Sequence, residues 1–580
     1  MTTTPSTAVD FDHILQSVGS FGLYQRLILI LLAIPSSLIS SWVAFAQIFA
    51  AASPPHTCFV PRDFVTINMT DEEWKNWTIP KLEDDYFHKT VKFSKCKQFD
   101  TEIIDHSIVI NKSSIVDCKY GWNYNHDIYD TTIVTDMNLV CYNDFWPAFS
   151  LMAFNIGGLF GNFFIGHIAD RYGRKIALFL MLAVISMFGT ASAFATDIYT
   201  YVALRFLVGF TFPALFSLPF VIGIELSGPQ YRIMLNTAFC TFFGLSFCFL
   251  CFIASLLRNW KHLLIVTSAP SAVYFIFWWI IPESPRWLLL QKRYSQATDI
   301  LVHAARFNRR RSVCRQDIYE KCRQVGAAEQ EQQASYESKP TVLDLFRTPN
   351  LRKIAILVTY IWLVNSTVYN GLIYDVPNMQ LNDYANLALS AAVEVPASLI
   401  TWPMMNHLGR RWSLTSTMLF GGAVTLSAIF FANTHPWVEG GLAAVGKFAI
   451  TASFTIIYAY ASELYPTESR AIGIGWSSLI ALLGVITAPY IIYLSSDVRA
   501  LPLMIMGVLT ISGGILALLL PETRNIRLPE TIEEAEALYQ TNNAAKRFCN
   551  LARRDHRHSN RTNDAPSNSD NTVVERFLIR

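Results

Sequence analysis

One carboxylate, Glu394, stands inside the apolar stretch Ala391-Ala-Val-Glu-Val-Pro396, with largely apolar sequence on both sides. Inside a lipid layer an exposed carboxylate is expensive, so Glu394 must face a cavity, a cationic partner or a proton. A cavity-facing carboxylate attracts a cation or carries a proton. Arg205 and Lys447 are the basic residues buried or nearly buried in comparable surroundings, and structural pairing is the other role open to both. Trp362 and Tyr369 lie seven residues apart, two turns along one helix face, beside Asn365 and Ser366. Such rings either pack against lipid and neighbouring helices or bind cations through their negative faces, at roughly 0.5–2 kcal/mol each. The chain holds no nucleophile elbow, Walker loop or HExxH pattern, which argues against an enzyme and against ATP-driven transport. Cys240, Cys248, Cys251, Cys314, Cys322 and Cys549 show no metal-ligand spacing, so neither a metal nor another cofactor is expected.

The elements that must hold these residues are membrane helices. Of 580 residues, 52% are hydrophobic and only 16% charged, against about 25% charged in soluble chains. The net charge of +2 also argues against a nucleic-acid partner. Twelve apolar runs can be counted, at 25–51, 145–168, 175–195, 199–223, 233–256, 261–281, 353–375, 384–405, 412–432, 438–461, 471–494 and 500–520. Each is about the length that spans a bilayer as a helix. The fold class is therefore an all-α membrane protein of twelve transmembrane helices.

Basic residues orient the spans, because positive loops stay cytoplasmic. Arg171, Arg174 and Lys175 follow span 2; Arg286, Lys292, Arg293 and Arg309 to Arg311 follow span 6; Arg410 and Arg411 follow span 8. Residues 1–24 and 521–580 are then cytoplasmic, the last sixty being polar and disordered toward the end, and 282–352 is a cytoplasmic helical loop. Span 1 lacks the basic start of a cleaved signal and stays in the membrane. The loop 52–144 is extracellular. It carries Cys58, Cys96, Cys118 and Cys141, an even set that forms two disulfides in any of three connectivities. It also carries the glycosylation sequons of Asn68, Asn76 and Asn111. Those of Asn365 and Asn560 lie where the glycosylating enzyme does not reach.

The chain also repeats itself. Glu225-Leu226, with Arg232 seven residues after the Glu, recurs as Glu463-Leu464 with Arg470, an offset of 238 residues. Gly173-Arg174 recurs as Gly409-Arg410, and Pro282-Glu283 as Pro521-Glu522, at offsets of 236 and 239. Residues 25–281 and 353–520 are thus two pseudo-symmetric six-helix bundles, with a solute site between them near the midplane that opens alternately to each side. Asp170 with Arg232, and Glu463 or Glu225 with the hinge arginines Arg171, Arg174 and Arg410, are expected to pair when the cytoplasmic ends meet, locking the outward-facing state. Gly173 and Gly409 permit the tight turns.

Gly166-x-x-x-Asp170-Arg171-x-Gly173-Arg174-Lys175 resembles the hinge signature of the major facilitator superfamily. Pro282-Glu-Ser-Pro-Arg-Trp287, Glu463-Leu-Tyr-Pro-Thr467, Pro521-Glu-Thr-Arg524, Leu528-Pro-Glu-Thr-Ile-Glu-Glu534 and the cysteine-bearing first loop resemble its organic cation, anion and zwitterion transporters, from Phe11 to Glu534. The resemblance implies that Trp362 and Tyr369 line the cavity, that Phe216 is a span-4 lining aromatic, that Glu394 is the acidic position of span 8, and that Arg205 belongs to a span-4 Arg-x-x-x-Gly pattern with Gly209. Leu482, Ala148 and Pro213 stand where members carry charges that sort substrates, so the usual charge code is missing.

The expected function is secondary or facilitative transport of small organic solutes by alternating access, with organic cations favoured because Glu394 is the one deep carboxylate. If Lys447 neutralises Glu394, neutral or zwitterionic solutes are favoured instead, as in an organic anion or zwitterion (carnitine-like) exchanger. A third reading is a receptor or scaffold that has lost transport and binds through the large loop; the matched hinges argue against it. The expected partners are the solute, a coupling ion or counter-solute, and the bilayer, at the plasma membrane.

Overall fold

The computed structural model describes residues 11–61, 69–82, 92–104, 107–310, 314–335, 341–376, 382–431, 435–466, 469–494, 500–524 and 532–536. Asn68 and the end of the tail lie outside them. Among the described residues, eleven helices are long and apolar enough to cross a membrane. They are α1 (Leu23–Ala50), α2 (Cys141–Tyr172), α3 (Arg174–Ser192), α4 (Ile198–Leu226), α5 (Met234–Leu256), α6 (Trp260–Trp279), α7 (Pro349–Tyr374), α8 (Asp383–Leu408), α9 (Arg410–Phe431), α10 (Trp437–Leu464) and α11 (Ile472–Tyr493). The shorter apolar helix α12 (Leu501–Ala517) completes the twelve-helix arrangement.

Helices α1–α6 and α7–α12 pack as two halves, each turned by the same hinge. Gly173 and Gly409 have φ of +116° and +85°, a region open to glycine alone at low cost. A Cβ there would fall 2.3 Å from Glu283 Oε2 in one half and 2.7 Å from Glu522 Oε2 in the other. Those glutamates explain the repeated Pro-Glu motif. Glu283 accepts hydrogen bonds from the Arg174 and Lys175 N–H groups at 3.0 and 3.2 Å, and Glu522 from those of Arg410 and Arg411 at 2.8 and 3.1 Å. Each carboxylate thus caps the helix that follows the hinge, satisfying orphan donors at its positive end.

The loop between α1 and α2 adds β-structure to the all-α membrane body. Strand β1 (His56–Cys58) pairs with β6 (Trp122–Tyr124), β2 (Lys81–Leu82) with β3 (Lys92–Phe93), and β4 (Lys97–Ile104) with β5 (Ser107–Asp117), all antiparallel. Two disulfides, Cys58–Cys118 and Cys96–Cys141, tie it together. Asn111 is exposed on β5, while Asn76 sits in the helix Asp71–Thr78 with its amide donating to the Glu72 carbonyl. At the opposite, hinge end, helices Pro285–Leu290, Tyr294–Phe307 and Arg315–Ser335 pack on the first half, and the short helix Phe11–Val18 joins their core. Asn308 fixes the link to α1, accepting from the Tyr24 N–H and donating to the Val18 carbonyl and the Gln25 side chain.

The two halves share a core at the loop end, where Phe45, Phe49 and Tyr129 pack with Ile373, Leu387 and Ala391. Toward the hinge end each half keeps its own core. The halves meet along two seams. Asn155 of α2 donates to the Val485 carbonyl of α11, and on α5 a Cβ at Gly244 would touch Glu394 Cβ at 3.4 Å. The halves thus share one core at the loop end and keep separate cores toward the hinge end.

Candidate solute site between the halves

Pro396 creates the site's central feature. Its ring and missing N–H conflict with the carbonyl four residues earlier, so α8 breaks into Asp383–Ala392 and Glu394–Leu408. Glu394 therefore opens the second segment, in the first turn, where free N–H groups and the helix dipole favour an anion. It is 5% exposed. Tyr369 donates its hydroxyl to Glu394 Oε1 at 2.6 Å. Lys447 Nζ lies 3.2 Å from the same oxygen, and the ammonium sits against the Tyr369 ring, 3.0 Å from its centroid. Lys447, 1% exposed, is thus a buried cation held between a carboxylate and an aromatic face.

Around this triad the second half presents an aromatic wall. Trp362 packs against Tyr458 at 4.2 Å and Phe454 at 6.3 Å between ring centroids, and Phe454 lies 5.8 Å from Tyr369. Tyr458 is 45% exposed while Trp362 beneath it is 1% exposed. Among the described residues the Trp362 indole N–H has no hydrogen-bond partner. Phe454 and Tyr458 escaped the sequence reading. They follow Lys447 by seven and eleven residues, a stripe along one face of α10 that also carries the charge. Across the cleft, Cys240 of α5 is within electrostatic reach of both Glu394 and Tyr458. Phe216 stands on the first half, edge-on to Phe239 and Phe243 at 6.4 and 5.4 Å.

Two expected members of the site are engaged elsewhere. Asn365 is fully buried; its amide nitrogen donates to the Ile361 carbonyl and its oxygen accepts from Ser453 at 2.7 Å. It pins α7 to α10 rather than facing a solute. Arg205 does not oppose Glu394. Its Nε donates to Gln47 at 2.8 Å, a second nitrogen to the Val43 carbonyl at 3.3 Å, and its plane lies 4.6 Å from the Phe154 ring centroid. It joins α4 to α1 and α2 within the first half.

The hinge charges pair inside their own halves in this arrangement: the expected Glu463–Arg410 pair is formed, whereas Asp170 and Arg232, expected to meet, take other partners. Asp170 meets Arg174 at 3.2 Å, one turn away, instead of Arg232; Arg232 pairs with Asp12 of the N-terminal helix at 2.8 Å. Arg174 also donates to the Ala169 carbonyl, and Arg171 lies over Tyr172. In the second half Arg410 grips Glu463 through two nitrogens at 3.0 Å each. The asymmetry has a sequence cause: the repeat puts Asn406 where the first half has Asp170, so the Arg410 side chain lacks the acid one turn away that pairs with Arg174. Glu225 is bonded by the Ser284 side chain, with Arg174 and Arg286 in electrostatic reach, and its buried Oε2 has no hydrogen bond among the described residues. Arg470 begins the helix that continues as α11.

Two six-helix halves hinged alike, enclosing a charged aromatic site, define a transporter of the major facilitator fold. Residues 109–548 match the sugar (and other) transporter family. The chain is 37% identical over 538 residues to organic cation transporter 1 of Caenorhabditis elegans, covering 91% of this chain and 88% of that one. It is 35% identical over 559 residues to the beta-alanine transporter of Drosophila melanogaster, covering 91% and 90%. The human organic cation/carnitine transporter 2 is 34% identical over 537 residues, covering 90% and 94%. Among solved structures, the partially occluded inward-open xylose transporter XylE of E. coli superposes with a TM-score of 0.54 at 14% identity, over 88% of this chain and all of that one. The chain belongs to the sugar (and other) transporter family, and its relatives are organic cation transporters and kindred solute carriers. It is a multi-pass membrane transporter of small organic solutes working by alternating access, not an enzyme.

Proposed function

We propose that the chain carries small organic cations across the plasma membrane, driven by their own gradient and the membrane potential. The observation that carries this is Glu394, a buried carboxylate at the boundary of the halves, bonded by Tyr369, whose ring leads on through Phe454 to Trp362 and Tyr458. Phe216 forms the facing wall. A solute cation displaces Lys447 from Glu394 and keeps the Tyr369 hydroxyl as a donor to the same carboxylate. A membrane potential contributes about 2.3 kcal/mol per charge per 100 mV to such uptake.

The two disulfides and the sequons of the α1–α2 loop support an extracellular loop end, and the basic hinges support a cytoplasmic hinge end with both termini. In that orientation the separate cores lie on the cytoplasmic side, which supports an inward-facing reading of this arrangement. The ion pairs Asp170–Arg174, Arg232–Asp12 and Arg410–Glu463 brace each half as a rigid body while the halves rock.

The Lys447–Glu394 pair favours a second reading, a zwitterionic solute whose carboxylate meets Lys447 while its ammonium meets Glu394. Relatives named for beta-alanine and carnitine suit this. Expression in oocytes with a radiolabelled panel and recorded current separates the two. Inward current on adding a quaternary ammonium, lost in Glu394→Gln, supports the first; electroneutral uptake of zwitterions with no cation current selects the second.

A further inference from the structure

The loop-end seam holds a second carboxylate with aromatic company. Asp383, the first residue of α8, is 8% exposed. Its Oδ2 accepts a hydrogen bond from the Tyr129 hydroxyl at 2.7 Å, across the boundary between the halves. Tyr384, next in the chain, stacks on Phe49 of α1 at 5.4 Å and lies 5.5 Å from Tyr129, both rings of the other half. Its hydroxyl donates to the Ile128 carbonyl. Among the described residues no Lys, Arg or His forms an ion pair with Asp383, on which only Tyr129 acts, while Arg258, Asp383 and Asp130 all act on Tyr384.

An ionised carboxylate accepts about four hydrogen bonds, and burial with a neutral phenol and a helix start as its partners leaves its charge without a cationic partner. Burial, and then the Asp383 charge, hold the Tyr129 hydroxyl far above the ordinary phenol range, so it remains a donor. When the halves part at the loop end, Phe49 and Tyr129 move away with one half and leave Asp383 and the Tyr384 ring facing the opening. A carboxylate beside aromatic faces is the chemistry that binds an organic ammonium.

We propose that Asp383 and Tyr384, with Phe49 and Tyr129 opposite, form a second organic-ammonium site at the loop-end mouth, and that the Tyr129 hydroxyl fills it when the halves close. It rests on the reading of the chain as a cation carrier and adds a site that Glu394 does not supply. A cation held there favours the state in which the halves are parted.

Binding of radiolabelled tetraethylammonium to membranes from cells expressing the full chain tests it, separately from uptake. Glu394→Gln is expected to keep a saturable component, which Asp383→Asn weakens by roughly tenfold or more. Tyr129→Phe, which keeps the carboxylate and removes its occupant, is expected to tighten that component by several-fold, and it carries the test if Asp383→Asn fails to reach the membrane. Absence of saturable binding in Glu394→Gln, binding unchanged by Asp383→Asn, or no tightening by Tyr129→Phe overturns the second site. Failure of the cation-carrier reading shows in the oocyte current instead, whatever the membranes bind.

Discussion

The triad of Glu394, Lys447 and Tyr369 sets what single substitutions do. Lys447→Met leaves a buried carboxylate without its cation, a change that costs about 3–5 kcal/mol where such pairs are broken on one side. It is expected to lower the melting temperature of the detergent-purified protein sharply, and Glu394→Gln combined with Lys447→Met to recover most of the loss. A double variant no more stable than Lys447→Met alone would show that the pair is not what holds α8 to α10. Tyr369→Phe removes the 2.6 Å bond to Glu394, worth about 1.5–3 kcal/mol to a charged acceptor, and is expected to raise the solute KM while leaving the ring packed against Phe454. Asn365→Ala is expected to do the reverse, lowering thermal stability with KM unchanged, because both ends of its amide are spent inside the α7–α10 packing. Glu394, Lys447 and the Trp362–Tyr369 pair were legible in the sequence because charge and helical spacing stand out within a long apolar run. Phe454 and Tyr458 were not, since aromatics are common in membrane helices and only their alignment with Lys447 distinguishes them.

The elements owe their geometry to two prolines' worth of breakage and two glutamates' worth of capping. Pro396 splits α8 and presents Glu394; Pro213 stands in the first turn of the helix Phe212–Leu226 where α4 divides. Glu283 and Glu522 close the helix starts at the hinges. Glu522→Ala is expected to cost about 0.5–2 kcal/mol, as lost helix caps do, and Gly409→Ala to cost about 1–3 kcal/mol through its backbone alone. Thermal denaturation of the purified variants orders the two; a Gly409→Ala protein as stable as the parent would mean the turn tolerates a side chain. The repeat offsets made the recurrence of Pro-Glu readable, but not its purpose, because a cap that reaches back more than a hundred residues leaves no local spacing. For the same reason the partners that Asp170 and Arg232 take in this arrangement could not be read from spacing. Sequence offers every acid to every base, whereas the structure gives Asp170 an arginine one turn away and gives Arg232 the Asp12 of a helix docked at the end of the chain.

At the scale of the whole molecule, twelve spans in two matched halves could be read from hydropathy and repetition, because membrane helices must satisfy their own backbones and so declare their length. The state in which the halves rest could not be read, since a rocking carrier uses one sequence for both arrangements and the difference lies in which end is packed. The structure packs the loop end, where Phe49, Tyr129 and Tyr384 bury one another, and leaves Tyr458 of the hinge-end cleft 45% exposed. In a chain whose free cysteines are replaced by serine, Tyr458→Cys is therefore expected to react with a membrane-impermeant thiol reagent applied from the hinge side, and Tyr384→Cys to be protected from the loop side. Solute that drives the halves apart at the loop end reverses both rates, because a ligand shifts such an equilibrium only toward the state it binds better. Equal labelling of the two positions from both sides, with and without solute, would mean the halves do not exchange access, and the hinges, caps and paired charges would then belong to a rigid scaffold.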